Sequence, residues 1–188
     1  MENDRTSIAY LGLGGNLGDR AATLRTAIFR LARVPGVVFS QERDAASLYE
    51  SAPEGGPPDQ GDYLNTVVRV RTALSPPSLL EATTIIERLL GRTRGVRNAP
   101  RTIDVDLLLF DDRVLSEREL TVPHPRLAER RFVLDPLCEL APDLAHPLLH
   151  CPLRELRRRL VAGSPGEKIH RIAGPEWVKE DVPMVLTG

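Results

Sequence analysis

Residues 8–13 form a short apolar run dense enough for a buried strand, and it enters a glycine-rich stretch, Gly12-Leu-Gly14-Gly15-Asn16-Leu-Gly18. Leu24, Ala27, Ile28 and Leu31 then recur at i, i+3, i+4 and i+7, the stripe of an amphipathic helix, which Pro35-Gly36 stops. A second strand is predicted to begin over residues 37–39 and to run on to Ser47-Leu48-Tyr49. Residues 51–62 are dense in proline and glycine and read as a loop. Residues 63–72 alternate as a third strand, with Asn65, Val67, Arg69 and Arg71 on one face and Thr66, Val68 and Val70 on the other. Ser75-Pro76 supplies an N-cap and a proline at the first helical position. Leu79, Ala82, Ile86, Leu89 and Leu90 follow at helical spacing, and Gly91 suits the position just past a helix end. A fourth strand is predicted over residues 102–110.

The order β-α-β-β-α-β is that of a ferredoxin-like, split-βαβ sandwich: an α+β fold with an antiparallel sheet and helices packed on one face. Beyond it, Asp111-Asp112 reads as a hairpin turn, Pro123-His124-Pro125 as a rigid turn and residues 127–131 as a short helix. Pro136, Pro142 and Pro147 punctuate a covering segment. Residues 152–162 read as a last helix with Leu153, Leu156 and Leu160 inward, its Arg154, Arg157, Arg158 and Arg159 forming a solvated face, and a loose tail follows Gly163.

A length of 188 residues suits one domain with a full core, spanning 1–188, with its core over about 7–150 and a terminal helix and tail over 151–188. The 41% apolar and 27% charged fractions are those of a globular chain, which excludes the disordered and fibrous classes. A net charge of −1 with only 4% aromatic residues argues against a nucleic-acid binder. No signal-like or membrane-spanning apolar run is visible, so a cytoplasmic protein that avoids membranes is expected. Cys138 and Cys151 fit neither a disulfide framework nor a zinc pattern.

The candidate chemistry begins in the fourth predicted strand. Asp104 and Asp106, two apart, share one face, while Ile103, Val105 and Leu107 share the core face. Two carboxylates about 4 Å apart repel by roughly 4 kcal/mol at an effective dielectric near 20. A cation between them or arginines around them would relieve that. On their own the two acids read as exposed acids on an edge strand. Arg92, Arg94, Arg97 and Arg101, however, occupy four of the ten positions before the strand. Guanidinium forks suit phosphate oxygens. An anion-binding loop feeding a paired-carboxylate Mg²⁺ site is the equipment of phosphoryl transfer. The glycine-rich stretch fits neither a dinucleotide fingerprint, because Leu17 stands at the third glycine position, nor a Walker A loop. It reads as a tight strand-to-helix turn, with a contribution to substrate binding as the alternative.

Four stretches in this order together resemble the 6-hydroxymethyl-7,8-dihydropterin pyrophosphokinase family: Tyr10-Leu-Gly-Leu-Gly-Gly-Asn-Leu-Gly18, Asp62-Tyr63-Leu-Asn65, Pro100-Arg101-Thr-Ile-Asp104-Val-Asp106-Leu-Leu-Leu-Phe110, and the segment from Val122-Pro-His124-Pro to Phe132-Val-Leu-Asp-Pro136-Leu. The resemblance implies transfer of pyrophosphate from ATP to the pterin hydroxymethyl oxygen, releasing AMP, by a monomer acting on small molecules. It implies two Mg²⁺ ions on Asp104 and Asp106, with Arg92 and Arg101 on the phosphates. Glu87, Arg94, Arg97, Leu107, Thr121, His124 and Arg130 would stand on the ATP side. Tyr63 and Phe132 would sandwich the pterin, Asn65 would read its edge, and Ser51, Ala52 and Pro53 would complete the slot. Where the family usually has Arg-Trp-Gly-Pro-Arg, this chain has Arg97-Asn98-Ala-Pro-Arg101, without the tryptophan. Residues 91–99 are expected to act as a lid that orders over the triphosphate. The rival readings are a ferredoxin-like nucleic-acid-binding module and a two-metal phosphodiesterase using the same carboxylates.

Overall fold

A computed structural model of the chain describes residues 6–40, 43–93, 99–163 and 168–179. The lid expectation, and with it Arg94, Arg97 and Asn98, falls on or around residues 94–98 and lies outside the described residues.

The first strand, β1 (Ser7–Gly15), is longer than expected and takes in Gly12, Gly14 and Gly15, which therefore belong to the sheet and not to a turn. The turn follows at residues 16–19, where Gly18 adopts φ +66°. Asp19 caps α1 (Arg20–Leu31) by accepting from the Ala22 amide at 3.0 Å. The predicted single second strand is two: β2 (Val37–Val38) and β3 (Leu48–Ser51) pair separately with β4 (Tyr63–Thr72). Asp44 lies between them, its carboxylate ion-paired to Arg69 and its carbonyl accepting from the Arg69 amide at 2.8 Å, where the chain is back on the edge of β4. Helix α2 (Pro76–Leu89) starts at the Ser75 cap, and Gly91 lies just past its end at φ +80°, a conformation that carries no Cβ penalty for glycine. β5 (Asp104–Phe110) completes the core unit.

The sheet runs β5-β1-β4-β3 with every pairing antiparallel, the fourth-first-third-second order of the split-βαβ arrangement. Its first face packs on α1 and α2, where Leu11, Leu13, Val68, Leu79, Ile28 and Leu107 are among the buried residues.

The additions after β5 cover the opposite face. Asp111 and Asp112 do form a turn, but the chain beyond it makes a separate ribbon, β6 (Leu115–Ser116) with β7 (Thr121–Val122), instead of pairing with β5. The short helix at Leu127–Glu129 leads into α3 (Arg131–Leu140), which passes through Pro136 where the sequence pattern suggested an irregular covering segment. Pro136 removes one backbone donor, and burial of Val133, Leu134 and Leu137 against the sheet offsets it. Helix α4 (Leu153–Gly163) packs on α3. Its Arg157 is not simply solvated, since its Nε donates to buried Asp135 at 2.5 Å. The supposed loose tail contains β8 (Ile169–Ala173), which extends the sheet beside β3. Trp177, on a short helical turn after it, is buried and donates to the Ala46 carbonyl at 3.0 Å.

Candidate active site

On the face that α3 and α4 only partly cover, the register aligns three strands. Asp104 and Asp106 of β5 lie opposite Gly14 and Gly12 of β1, which in turn lie opposite Asn65 and Val67 of β4. With strands about 4.8 Å apart, the acids and Asn65 stand roughly 10 Å apart across a glycine floor. The floor is tight: a Cβ on Gly14 would sit 2.7 Å from Asn65 Oδ1, and one on Gly12 3.3 Å from the Leu108 side chain. The result is a cavity open to solvent, lined by Asp104, Asp106 and Arg101 and also by Tyr63, Asn65 and Phe132. The alternative reading of the glycine stretch, as part of the binding site, is therefore the one the geometry favours.

At the acidic end Arg92 contacts both Glu87 and Asp104, and Arg101 Nη1 lies 2.8 Å from Asp104 Oδ2. Asp104 is thus balanced by two guanidinium groups. Asp106 is not. Among the described residues the nearest cationic candidate is His124, its Nε2 3.9 Å from Asp106 Oδ2. The wall of protein behind Asp106, then the Asp104 charge beside it, push its carboxyl above the usual range, against the pull of Arg130, Arg101 and Arg92. Its side chain is still 41% exposed at the mouth, and it lines the cavity.

His124 reaches this point because its amide donates to the Leu108 carbonyl at 2.9 Å, docking the 123–125 turn on β5. Its Nδ1 accepts from the Arg126 amide at 3.2 Å, so the neutral ring carries its proton on Nε2. Burial, and then the Arg130 charge, pull its pKa down to about 4. Arg130, at the start of α3, lies over the Phe132 ring at 5.4 Å, much as Arg101 lies over Tyr63 at 5.6 Å. The Arg101 Nε is buried without a hydrogen-bond acceptor among the described residues, whereas the Arg130 Nε is ion-paired with Glu54 Oε2 at 3.3 Å. An unmade hydrogen bond of this kind costs about 1–3 kcal/mol, which a bound anion would recover.

Several expected residues take other places. Glu87 is buried under β5, where it accepts from the Val105 amide at 2.7 Å and braces Arg92, so it supports the arginine from behind instead of facing the cavity. Burial raises its pKa more than the Val105 amide and Arg92 lower it. The Leu107 side chain points into the α1/α2 core, and the residue does not line the cavity. Thr121 is exposed on β7, and neither it nor Pro53 lines the cavity, whereas Ser51, Ala52, Glu54 and Gly55 do. Asn65 Nδ2 donates to Ser51 Oγ at 2.9 Å, which fixes the amide at the base of the slot. Sequence reasoning missed the role of Gly12 and Gly14, whose two-residue spacing inside an apolar strand mirrors that of the aspartates. It also missed Glu54, whose Oε2 lies 2.9 Å from Arg126 Nη2 and 3.3 Å from Arg130 Nε.

A model of the 7,8-dihydro-6-hydroxymethylpterin-pyrophosphokinase family matches residues 10–142. The chain is 46% identical over 134 residues to the 2-amino-4-hydroxy-6-hydroxymethyldihydropteridine pyrophosphokinase of Bacillus subtilis, a match covering 71% of this chain and 78% of that protein. It is 40% identical over 159 residues to the folic acid synthesis protein fol1 of Schizosaccharomyces pombe, covering 85% of this chain but 21% of that longer protein. The wild-type HPPK-DHPS structure of Plasmodium falciparum superposes with a TM-score of 0.69 at 18% identity over 87% of this chain and 46% of that one, a likeness of fold. The chain thus spans under half of that structure and about a fifth of the fission-yeast protein.

Proposed function

The chain belongs to the 7,8-dihydro-6-hydroxymethylpterin-pyrophosphokinase family, and on that premise we propose that this cavity transfers the β,γ-pyrophosphoryl group of ATP to the hydroxymethyl oxygen of the reduced pterin. The family is one of transferases in folate biosynthesis, and neither a nucleic-acid module nor a phosphodiesterase finds support among the relatives. The observation that carries the reading is one cavity lined both by paired carboxylates and by two aromatic rings and an amide.

In the proposed reaction the pterin hydroxyl oxygen forms a bond to the β-phosphorus. The bond from that phosphorus to the α,β-bridging oxygen breaks, AMP leaves with its electron pair, and the hydroxyl proton goes to solvent. Tyr63 and Phe132 hold the pterin ring by stacking, and Asn65 aligns it by hydrogen bonds to its edge. Arg101 and Arg130, which both line the cavity, offer guanidinium donors to the phosphates. Arg92, braced by Glu87, keeps Asp104 in place, and neutral His124 offers its Nε2 proton to a phosphate oxygen. The donor set fits hard cations, since Asp104 and Asp106 are oxygen ligands on one strand face and Asp106 has no guanidinium ion pair among the described residues. Two Mg²⁺ ions held there would neutralise charge on the triphosphate and polarise the attacked phosphorus. The same reading takes residues 1–188 as one pyrophosphokinase domain that works as a monomer in the cytoplasm. Incubation with MgATP and the hydroxymethylpterin should yield AMP and the pterin diphosphate. Formation of ADP would indicate a simple kinase, and phosphate release without the pterin a hydrolase.

A further inference from the structure

Asn16 follows the glycine floor, 9% exposed, at the point where β1 ends. Its amide N–H donates to the Arg101 carbonyl at 3.0 Å, and its side-chain Oδ1 accepts from the Arg101 amide at 2.9 Å. The Nδ2 group points the other way and donates to the Gly61 carbonyl at 3.1 Å, with Gln60 Oε1 at 3.5 Å. Gln60 in turn donates to the Gly55 and Pro57 carbonyls at 3.2 and 2.9 Å. One carboxamide thus joins the backbone of Arg101, beside Asp104, to the loop whose Ser51, Ala52 and Gly55 also line the cavity. The pattern uses both halves of an amide, an acceptor toward an N–H and two donors toward oxygens, where a carboxylate has no donor and a hydroxyl only one. The close fit extends to Gly15, where a Cβ would lie 2.3 Å from the Thr102 carbonyl oxygen.

We infer that Asn16 is a positioning residue for the pterin slot: it holds the 51–61 loop at a set distance from Arg101 and so sets the width of the slot between them. The inference rests on the pterin-and-ATP reading above. Asn16 touches no reacting atom in it and acts through the loop. Arg20 Nη1 separately holds the Asp62 carbonyl at 2.6 Å, so the return of the loop into β4 does not depend on Asn16.

The Asn16→Asp variant separates the two halves. It keeps the acceptor for the Arg101 amide but sets an oxygen against the Gly61 carbonyl, freeing the loop alone. Titration calorimetry with a non-hydrolysable ATP analogue and Mg²⁺, then with the hydroxymethylpterin at saturating analogue, reads the two ends in turn. Asn16→Asp is expected to weaken pterin binding about tenfold or more and analogue binding less than about twofold. Asn16→Ala, which also loses the acceptor, is expected to weaken both. Pterin binding unchanged in Asn16→Asp, or weakened no more than analogue binding, overturns the inference. If Asn16→Asp does not fold, Gln60→Ala carries the test, since it loosens the same loop from a more exposed side. There, selective loss of pterin binding supports the inference and equal binding overturns it. A wild-type protein that binds no pterin at all overturns the function reading and this inference together, whereas wild-type AMP formation with an unaffected Asn16→Asp variant overturns only the inference.

Discussion

The two faces of the sheet are built from the same strands and serve opposite ends. On one, Val105 and Leu107 of β5 meet Leu11, Leu13 and the helices α1 and α2 in a closed apolar core. On the other, Asp104 and Asp106 of the same strand face glycines, arginines and open solvent. The closed face maximises burial, and each residue there contributes through area removed from water. The open face gives up that stabilisation at its pocket end and gathers paired carboxylates, ion-paired guanidinium groups and a neutral histidine around the cavity. Stability and function are therefore separated along one strand by the two-residue alternation of its side chains.

Alternating substitutions along β5 test that separation most severely. Asp104→Ala or Asp106→Ala should lower turnover by about a thousandfold, because the phosphate end loses a centre of charge stabilisation. The fold should survive in both. Asp106→Asn in metal-free protein should raise the melting temperature at pH 8. The native carboxyl holds its proton to higher pH than it does in the unfolded chain, so its ionisation lowers stability as pH rises through the native value. Mg²⁺ should then stabilise the wild type and not this variant, as read by thermal melts with and without the ion. Near-native activity of either alanine variant would break the division between the faces.

The neighbouring residue should give the opposite pattern. Leu107→Ala should cost about 2–5 kcal/mol of stability in denaturant titrations. The folded fraction should keep its affinity for the ATP analogue. A large loss of that affinity without loss of stability would mean that the Leu107 side chain serves the ligand after all.

Within the open face, Tyr63→Ala and Phe132→Ala should each weaken pterin binding by about 1–2 kcal/mol, from lost stacking and burial. Affinity for the ATP analogue should barely change in calorimetry. An equal loss for both ligands would make these rings part of the core. The smallest effect concerns acid. His124 stays neutral in the native protein down to about pH 4, while in the unfolded chain it takes up a proton near 6.5. Above 6.5 it leaves stability unchanged; as pH falls from 6.5 to 4 it removes stability, since the unfolded state binds the extra proton. His124→Asn keeps an acceptor for the Arg126 amide and should flatten that limb of melting temperature against pH. An unchanged limb would show that His124 is open to water.

Much of this architecture is legible from local pattern. The β4 bounds, the α2 cap at Ser75, its end at Gly91 and the shared face of Asp104 and Asp106 all follow from spacing along the chain, because each depends on residues within a few positions of one another. Helix α3 was hidden because Pro136 looks like a stop, and only burial against the sheet outweighs it. β8 was hidden because its residues are mostly exposed, and what defines it is backbone pairing with the edge of β3.

The sequence by itself determined which strand carries the acids, that arginines precede it, and, through the resemblance, which aromatic residues belong with them. The tertiary structure alone decided that Gly12 and Gly14 form a floor between Asp104 and Asn65, that Glu87 braces Arg92 from behind, and that Asn16 joins Arg101 to a loop about forty residues before it in the chain. The physical reason is register. Which side chains stand opposite one another across three strands depends on long-range pairing, and a shift of one residue would turn each of them to the other face.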